Sequence, residues 1–60
     1  MTNKERYVDI LKAINLGFLS LTDLETEFIN NMYYKNSDNT IENITWSQQK
    51  KLIQIWEKIE

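Results

Sequence analysis

Apolar residues recur every three or four positions over the first third of the chain, which predicts an amphipathic helix over residues 3–16. The residues of this stripe are Tyr7, Ile10, Leu11, Ile14 and Phe18. Gly17 is the only glycine in the sequence, and its position after the stripe predicts a left-handed residue that ends the helix. Phe18 is then expected to fold back over the last helical turn.

Two further stripes predict a second helix over residues 22–34 and a third over residues 45–59. The second stripe consists of Leu24, Phe28 and Met32, with Ile29 and Tyr33 beside it. The third consists of Leu52, Ile55, Trp56 and Ile59. From its position on this face, Trp56 is expected to be the central core residue, and Tyr33 is expected to belong to the core as well.

The second and third helices begin with the same pattern, an apolar residue followed by Thr-x-x-Glu/Gln. The two segments are Leu21-Thr22-Asp23-Leu24-Glu25 and Ile44-Thr45-Trp46-Ser47-Gln48. In such a capping box the Thr side chain accepts a hydrogen bond from the backbone three residues on, and the Glu or Gln side chain accepts one from the backbone of the Thr. The two boxes therefore predict where these helices start.

Residues 35–40 are polar without interruption and predict a loop. Ile41 and Ile44 follow it and predict an anchoring turn over residues 40–44, which a short helix would also satisfy. The prediction is a single all-α domain over residues 1–60, a compact bundle of three to four helices with up-and-down topology.

The composition excludes several kinds of chemistry. The chain has no Cys and no His, so a disulfide, a thiolate nucleophile, an imidazole base and a Cys/His zinc site are all excluded. A single Gly rules out a glycine-rich phosphate loop. Acidic residues in the first turns of a helix are ordinary, so they do not indicate a catalytic pair. We expect a non-enzymatic protein with no cofactor and no metal.

Net charge and hydropathy further restrict the classes of partner that we expect. The net charge is −2 and the isoelectric point is near 5.0, which argues against a strongly basic nucleic-acid binder. No apolar run is long enough for a signal peptide or a membrane span. The expected location is cytoplasmic, with no membrane partner, and the expected oligomeric state is a monomer or a weak dimer.

The start of the third helix carries the most function-like cluster of the chain. A helix N-terminus offers backbone N–H groups to a phosphate, lysines there would add positive charge, and a Trp could stack on a base. Lys35, across the polar loop, would extend this group of side chains. The candidate nucleic-acid-binding residues are Lys35, Trp46, Gln49, Lys50 and Lys51, with Gln48 beside them. The competing interpretation is a solvated helix face whose Trp packs under the loop.

Two stretches resemble helical segments of phage DNA-replication and recombination proteins. They are Leu21-Thr22-x-x-Glu25-x-x-Phe28-Ile29 and Ile44-Thr45-x-x-Gln48-x-x-x-Leu52-x-x-Ile55-Trp56-x-Lys58. In size and composition the chain is similar to the small proteins encoded beside the UvsW recombination helicase of T4-type phages. The resemblance implies a helical module related in role to the nucleic-acid-binding domains of helicases, which use surface lysines and aromatic residues.

The leading hypothesis is therefore an accessory module in phage DNA recombination, repair or replication. It would bind single-stranded or branched DNA weakly, or dock on a helicase or recombination protein. The alternative is a protein-interaction module, such as a phage-encoded acidic inhibitor of a host enzyme. For that alternative, the candidate DNA-mimicking residues are Asp9, Asp23, Glu25 and Glu27.

Overall fold

The computed structural model describes residues 1–59 and contains three α-helices and one short 3-10 turn. The helices are α1 (Asn3–Asn15), α2 (Asp23–Ser37) and α3 (Trp46–Glu57), and the turn is Ile41–Asn43. No strand occurs among the described residues. The predicted all-α class and the predicted turn within residues 40–44 are both confirmed. The third helix, predicted over residues 45–59, ends earlier, at Glu57. Glu60 lies outside the described residues.

The three helices run up, down and up. Glu42 of the turn contacts the start of α1, and Lys58, just after α3, pairs with Glu25 near the start of α2. We call the end where α1 and α3 begin the loop end, and the end where they finish, beside the 16–22 connection, the linker end. The helix α1 packs against both other helices and against the turn, and its contact with α3 is the most extensive.

All three helices begin with a complete capping box. The boxes at Thr22 and Thr45 confirm the predicted helix starts, with both reciprocal hydrogen bonds present in each. A third box, which we did not predict, joins Thr2 and Glu5 at the start of α1. Its signal is visible in the sequence, because Met1-Thr2-Asn3-Lys4-Glu5 has the same apolar-Thr-x-x-Glu form.

A carboxylate from the distant turn completes the cap of α1. The Glu42 side chain accepts hydrogen bonds from the backbone N–H groups of Asn3 and Lys4, each at 3.0 Å. The buried Asn3 side chain donates to the Ile41 carbonyl, also at 3.0 Å. The N–H groups of Glu5 and Arg6 donate to the side chain and the carbonyl of Thr2. All four N–H groups in the first turn of α1 therefore have an acceptor.

The helix ends follow one backbone pattern. Gly17 has φ of 80°, as predicted, and the Phe18 N–H donates to the Ala13 carbonyl. Asn39 takes the equivalent position after α2 with φ of 62°, and Thr40 N–H donates to the Lys35 carbonyl. These are Schellman endings, in which Asn can replace Gly. The prediction of a loop from residue 35 is wrong for residues 35–37, because the asparagine ending lets α2 continue to Ser37.

The centre of the core lies between the three helices and the turn. The fully buried large side chains are Ile10, Met32, Ile41, Leu52 and Ile55. Trp56, expected at the centre, instead packs partly buried at the edge. Its Nε1 donates to Asp9 Oδ2 at 3.3 Å, and the Arg6 guanidinium lies 5.5 Å from its ring centroid. A polar ring nitrogen needs such partners at the border of a core, and Ile55 takes the central place.

Several residues assigned to the core by periodicity are exposed. Tyr33 is 58% exposed, Leu24 71% and Phe18 78%, so the predictions that Tyr33 is in the core and that Phe18 covers α1 are both wrong. α2 buries only one stripe, in which Ile29 and Met32 are fully covered. Leu24 and Tyr33 lie to either side of that stripe, where neither neighbouring helix reaches them.

Candidate nucleic-acid interface

The candidate surface is built on the first two turns of α3. Trp46 is the first residue of the helix and is 71% exposed, so the interpretation in which it packs under the loop is wrong. Gln49 and Lys50 follow at the three- and four-residue spacings that place side chains on one helix face. Half-buried Ile53 continues the same stripe one turn later. The structure therefore brings together Trp46, Gln49 and Lys50, which we call the α3 stripe.

The backbone at this helix start has free hydrogen-bond donors. Thr45 accepts from the N–H groups of Gln48 and Gln49 through its side chain and its carbonyl. Within residues 1–59, no acceptor reaches the N–H groups of Trp46 and Ser47, whereas Glu42 fills the equivalent positions of α1. The first turn of α3 also contains no acidic residue. The positive end of its helix dipole is therefore not neutralised locally.

No contact joins Lys51 or Lys35 to the α3 stripe among the described residues. The Lys51 ammonium is 5.6 Å from the ring centroid of Phe28, so this side chain turns toward α2 in a cation–π contact. Lys35 is exposed in the last turn of α2. No hydrogen bond or ion pair among the described residues connects it with the candidate residues of α3. Both lysines add positive charge on the α2 side.

The exposed tyrosines are a feature that the sequence analysis did not assign to the site. Tyr34 is 68% exposed, and its ring meets that of Tyr33 edge to face with centroids 5.5 Å apart. Burial raises the pKa of the neighbouring Tyr7 hydroxyl, and the proximity of Tyr33 raises it further. The pair lies in the second half of α2, toward the loop end, so the exposed aromatic surface there is larger than Trp46 alone.

The proposed DNA-mimicking face is partly used by the fold itself. Asp9 accepts the Trp56 hydrogen bond, and Glu25 serves both the capping box of α2 and the ion pair with Lys58. Asp23 and Glu27 make no ion pair among the residues that the structure describes. Two of the four carboxylates therefore have structural roles that account for them.

The capping carboxylates have perturbed pKa values. Hydrogen bonds from the Thr2 backbone N–H and side chain lower the pKa of Glu5 below its ordinary value of 4.5. For Glu25 the pKa is lowered first by the Lys58 ammonium and then by the Thr22 backbone N–H. Groups whose pKa is depressed by folding stabilise the protein above their unfolded pKa, and this contribution is lost as the pH falls through the folded pKa.

Acidification below about pH 4.5 is therefore expected to lower the melting temperature. In the double variant Glu5→Gln/Glu25→Gln, the amide oxygens keep the capping geometry without a titratable group. This variant should melt lower than the parent near neutral pH and lose less on acidification. Thermal circular dichroism at about pH 7 and about pH 3 tests this. The exposed Glu57→Gln variant is the control, and an equal acid response in parent and double variant would contradict the assignment.

Among residues 1–59 no group of three or more acidic side chains is arranged to hold a metal ion. No helix in the same range combines the length and apolar character needed to cross a membrane. Comparisons with protein-family models, curated proteins and solved structures found no match to this chain. The resemblance to phage recombination proteins and the role that it implies therefore stay predictions.

Proposed function

We propose that this chain is a non-enzymatic accessory module of phage DNA recombination, repair or replication that binds single-stranded or branched DNA weakly. The observation that carries the proposal is the α3 stripe. It combines a Trp that is 71% exposed with an adjacent lysine at a helix start whose first two N–H groups are free. An exposed Trp stacks on a base without regard to sequence, and the lysine and the backbone donors attract phosphate.

Charge limits the strength of this interaction. The net charge of the whole chain is −2, so the attraction comes from the local surface at the loop end. Two or three phosphate contacts, from Lys50 and from Lys51 or Lys35 on the α2 side, give a single-strand salt slope of about −2. We expect a dissociation constant on the order of 10⁻⁴ M at low salt, and weaker binding at physiological salt.

The test is fluorescence anisotropy of a labelled oligothymidine at low salt. Trp46→Ala removes one stacking partner and should weaken binding about fivefold or more, because one base–aromatic stack contributes about 1–3 kcal/mol. Lys50→Ala should weaken binding and make the salt slope shallower by nearly one phosphate contact. Phe18→Ala is the matched control, because it removes an aromatic side chain of similar exposure at the linker end.

A direct readout comes from Trp fluorescence. Trp56→Phe leaves Trp46 as the only indole, so quenching by the oligonucleotide reports on the α3 stripe. Quenching that saturates together with the anisotropy change supports the proposal. If the folded protein shows no binding at high micromolar concentration, the DNA part of the proposal is wrong.

Docking on a recombination helicase is the second candidate, and the exposed Tyr33–Tyr34 pair favours it. Tyr is among the residues that contribute most at protein interfaces, and four of the seven aromatic residues are more than half exposed. Tyr34→Ala should then weaken co-sedimentation with a UvsW-type helicase and leave oligonucleotide binding unchanged. If DNA is the ligand of the α3 stripe, Trp46→Ala should weaken oligonucleotide binding and leave co-sedimentation with the helicase unchanged.

A further inference from the structure

Arg6 is the only arginine in the chain, and its guanidinium lies over the ring of Trp56. The distance to the ring centroid is 5.5 Å, and the indole Nε1 of the same ring donates to Asp9 Oδ2 at 3.3 Å. A planar guanidinium stacks on an aromatic face in this way. Because Asp9 fixes the indole and the indole supports the guanidinium, Arg6 is held at the contact between α1 and α3.

The donors of this guanidinium are unused within the described chain. A guanidinium carries five N–H donors, but Arg6 forms no side-chain hydrogen bond and no ion pair within residues 1–59. The side chain is half-buried, and its Nε is shielded from solvent without an acceptor. Shielded polar groups are normally paired, so a charged one without a partner needs an explanation. An anion at the terminal nitrogens of the guanidinium would supply the missing acceptors.

The guanidinium lies beside the surface that carries the proposed DNA contact. Gln49 belongs to the α3 stripe, and Ile53 and Trp56 follow it four and seven residues later. This spacing places the three side chains along one side of the helix. Trp46 precedes Trp56 by ten residues, which is about 15 Å along the helix axis. A strand that stacks on Trp46 and follows α3 toward its C-terminus therefore reaches Arg6.

Two carboxylates of α1 are neighbours of Arg6, and both already accept hydrogen bonds from other groups. Glu5, the preceding residue, accepts from the Thr2 backbone N–H, and Asp9, three residues on, accepts from the Trp56 indole. Neither forms an ion pair with Arg6. They keep the surrounding potential from being strongly positive, so we expect one direct phosphate contact here and no extended basic patch.

We propose, on the basis of the DNA binding proposed above, that Arg6 binds a phosphate of the single strand whose base stacks on Trp46. Two parallel N–H donors of a guanidinium match two phosphate oxygens, a geometry that a lysine ammonium does not offer. Arg6 would add a phosphate contact to that of Lys50. The bound strand would then run along α3 from its start toward Trp56, at the groove between α3 and α1.

The single arginine allows a direct test in a ¹H–¹⁵N correlation spectrum of the whole protein. Oligothymidine at low salt should shift the Nε–H signal of Arg6 saturably, with the same dissociation constant as the indole N–H signal of Trp46. Inorganic phosphate at the same concentration should leave the Arg6 signal in place, because it has no base to stack. A shift at Trp46 without one at Arg6 would overturn this inference and leave the proposed function standing. If neither signal moves, both are wrong.

Variants separate phosphate binding from a purely structural role of Arg6. Arg6→Gln should weaken oligothymidine binding several-fold and make the salt slope shallower by about 0.7, the value of one phosphate contact on a single strand. Arg6→Lys should keep the slope of the parent and only part of its affinity, because the charge remains and the bidentate geometry is lost. Lys12→Gln, an exposed cation of the same helix, is the control and should change neither quantity. An unchanged salt slope in folded Arg6→Gln would overturn the proposed contact.

Discussion

Ile55→Ala is expected to leave the chain largely unfolded at room temperature. Ile55 is 1% exposed at the contact between α3 and the rest of the core. Removing three carbons from such a site typically costs about 2–5 kcal/mol, because the cavity closes only partly. A core of this size supplies about 3–5 kcal/mol in total. The loss is therefore comparable to the whole free energy of unfolding, and thermal circular dichroism should show little or no cooperative transition.

Ile53→Ala is the matched control for this experiment. It makes the same chemical change in the same helix, so the effect on helix propensity is identical, but Ile53 is only half-buried. It should melt cooperatively at a temperature moderately below that of the parent. Ile55→Val should have an intermediate effect that can be measured, because it lowers the free energy of unfolding by only about 0.5–1.5 kcal/mol. If Ile53→Ala is the more destabilising of the two alanine variants, the orientation of α3 described above is wrong.

The structure also changes the expectation for Trp56. A fully buried Trp would be the most damaging residue to truncate, but this ring lies at the border and its nitrogen is bonded to Asp9. Trp56→Phe keeps most of the apolar contact and loses that hydrogen bond together with part of the stacking surface for Arg6. Its cost should therefore be smaller than that of Ile55→Ala, and the same thermal denaturation series tests the ranking.

The local features of this fold could be predicted from sequence because their signals are local. The boxes at Thr22 and Thr45 and the left-handed Gly17 involve residues within a few positions of one another, and the structure confirms all three. The orientation of each helix depends on which neighbours cover it. Periodicity defined a face about 100° wide, but it did not distinguish central Ile55 from Trp56 beside it.

For the candidate site, too, the sequence predicted the local features but not those that depend on how the helices pack. Sequence spacing was sufficient to place Trp46, Gln49 and Lys50 on one helix face, and the exposure of Trp46 agrees with a surface role. It was not sufficient to predict that Lys51 turns toward Phe28 or that α2 extends past Lys35. Both depend on how α2 and α3 meet. The exposure of Tyr33 was missed because a tyrosine beside an apolar stripe looks like a core residue until the packing is known.

Glu42→Ala is expected to lower the free energy of unfolding by about 1–3 kcal/mol. The carboxylate joins residues 38 and 39 positions apart, since it accepts from the backbone N–H groups of Asn3 and Lys4. Its loss leaves two donors at the start of α1 without a protein acceptor. It also removes a negative charge from the positive end of the helix dipole, and releases the turn that carries fully buried Ile41.

Glu42→Gln separates the charge from the hydrogen bonds. The amide has one oxygen in place of two and no charge, so it should recover about half of the loss caused by alanine. Glu57→Ala, an exposed carboxylate of α3, is the control and should change stability by less than about 0.5 kcal/mol. Urea denaturation measures all three variants, and amide hydrogen exchange should accelerate in the first turn of α1 for Glu42→Ala. If Glu42→Ala is no more destabilising than Glu57→Ala, the Glu42 contact does not stabilise the fold, and buried Ile41 and its hydrogen bond from Asn3 hold the turn.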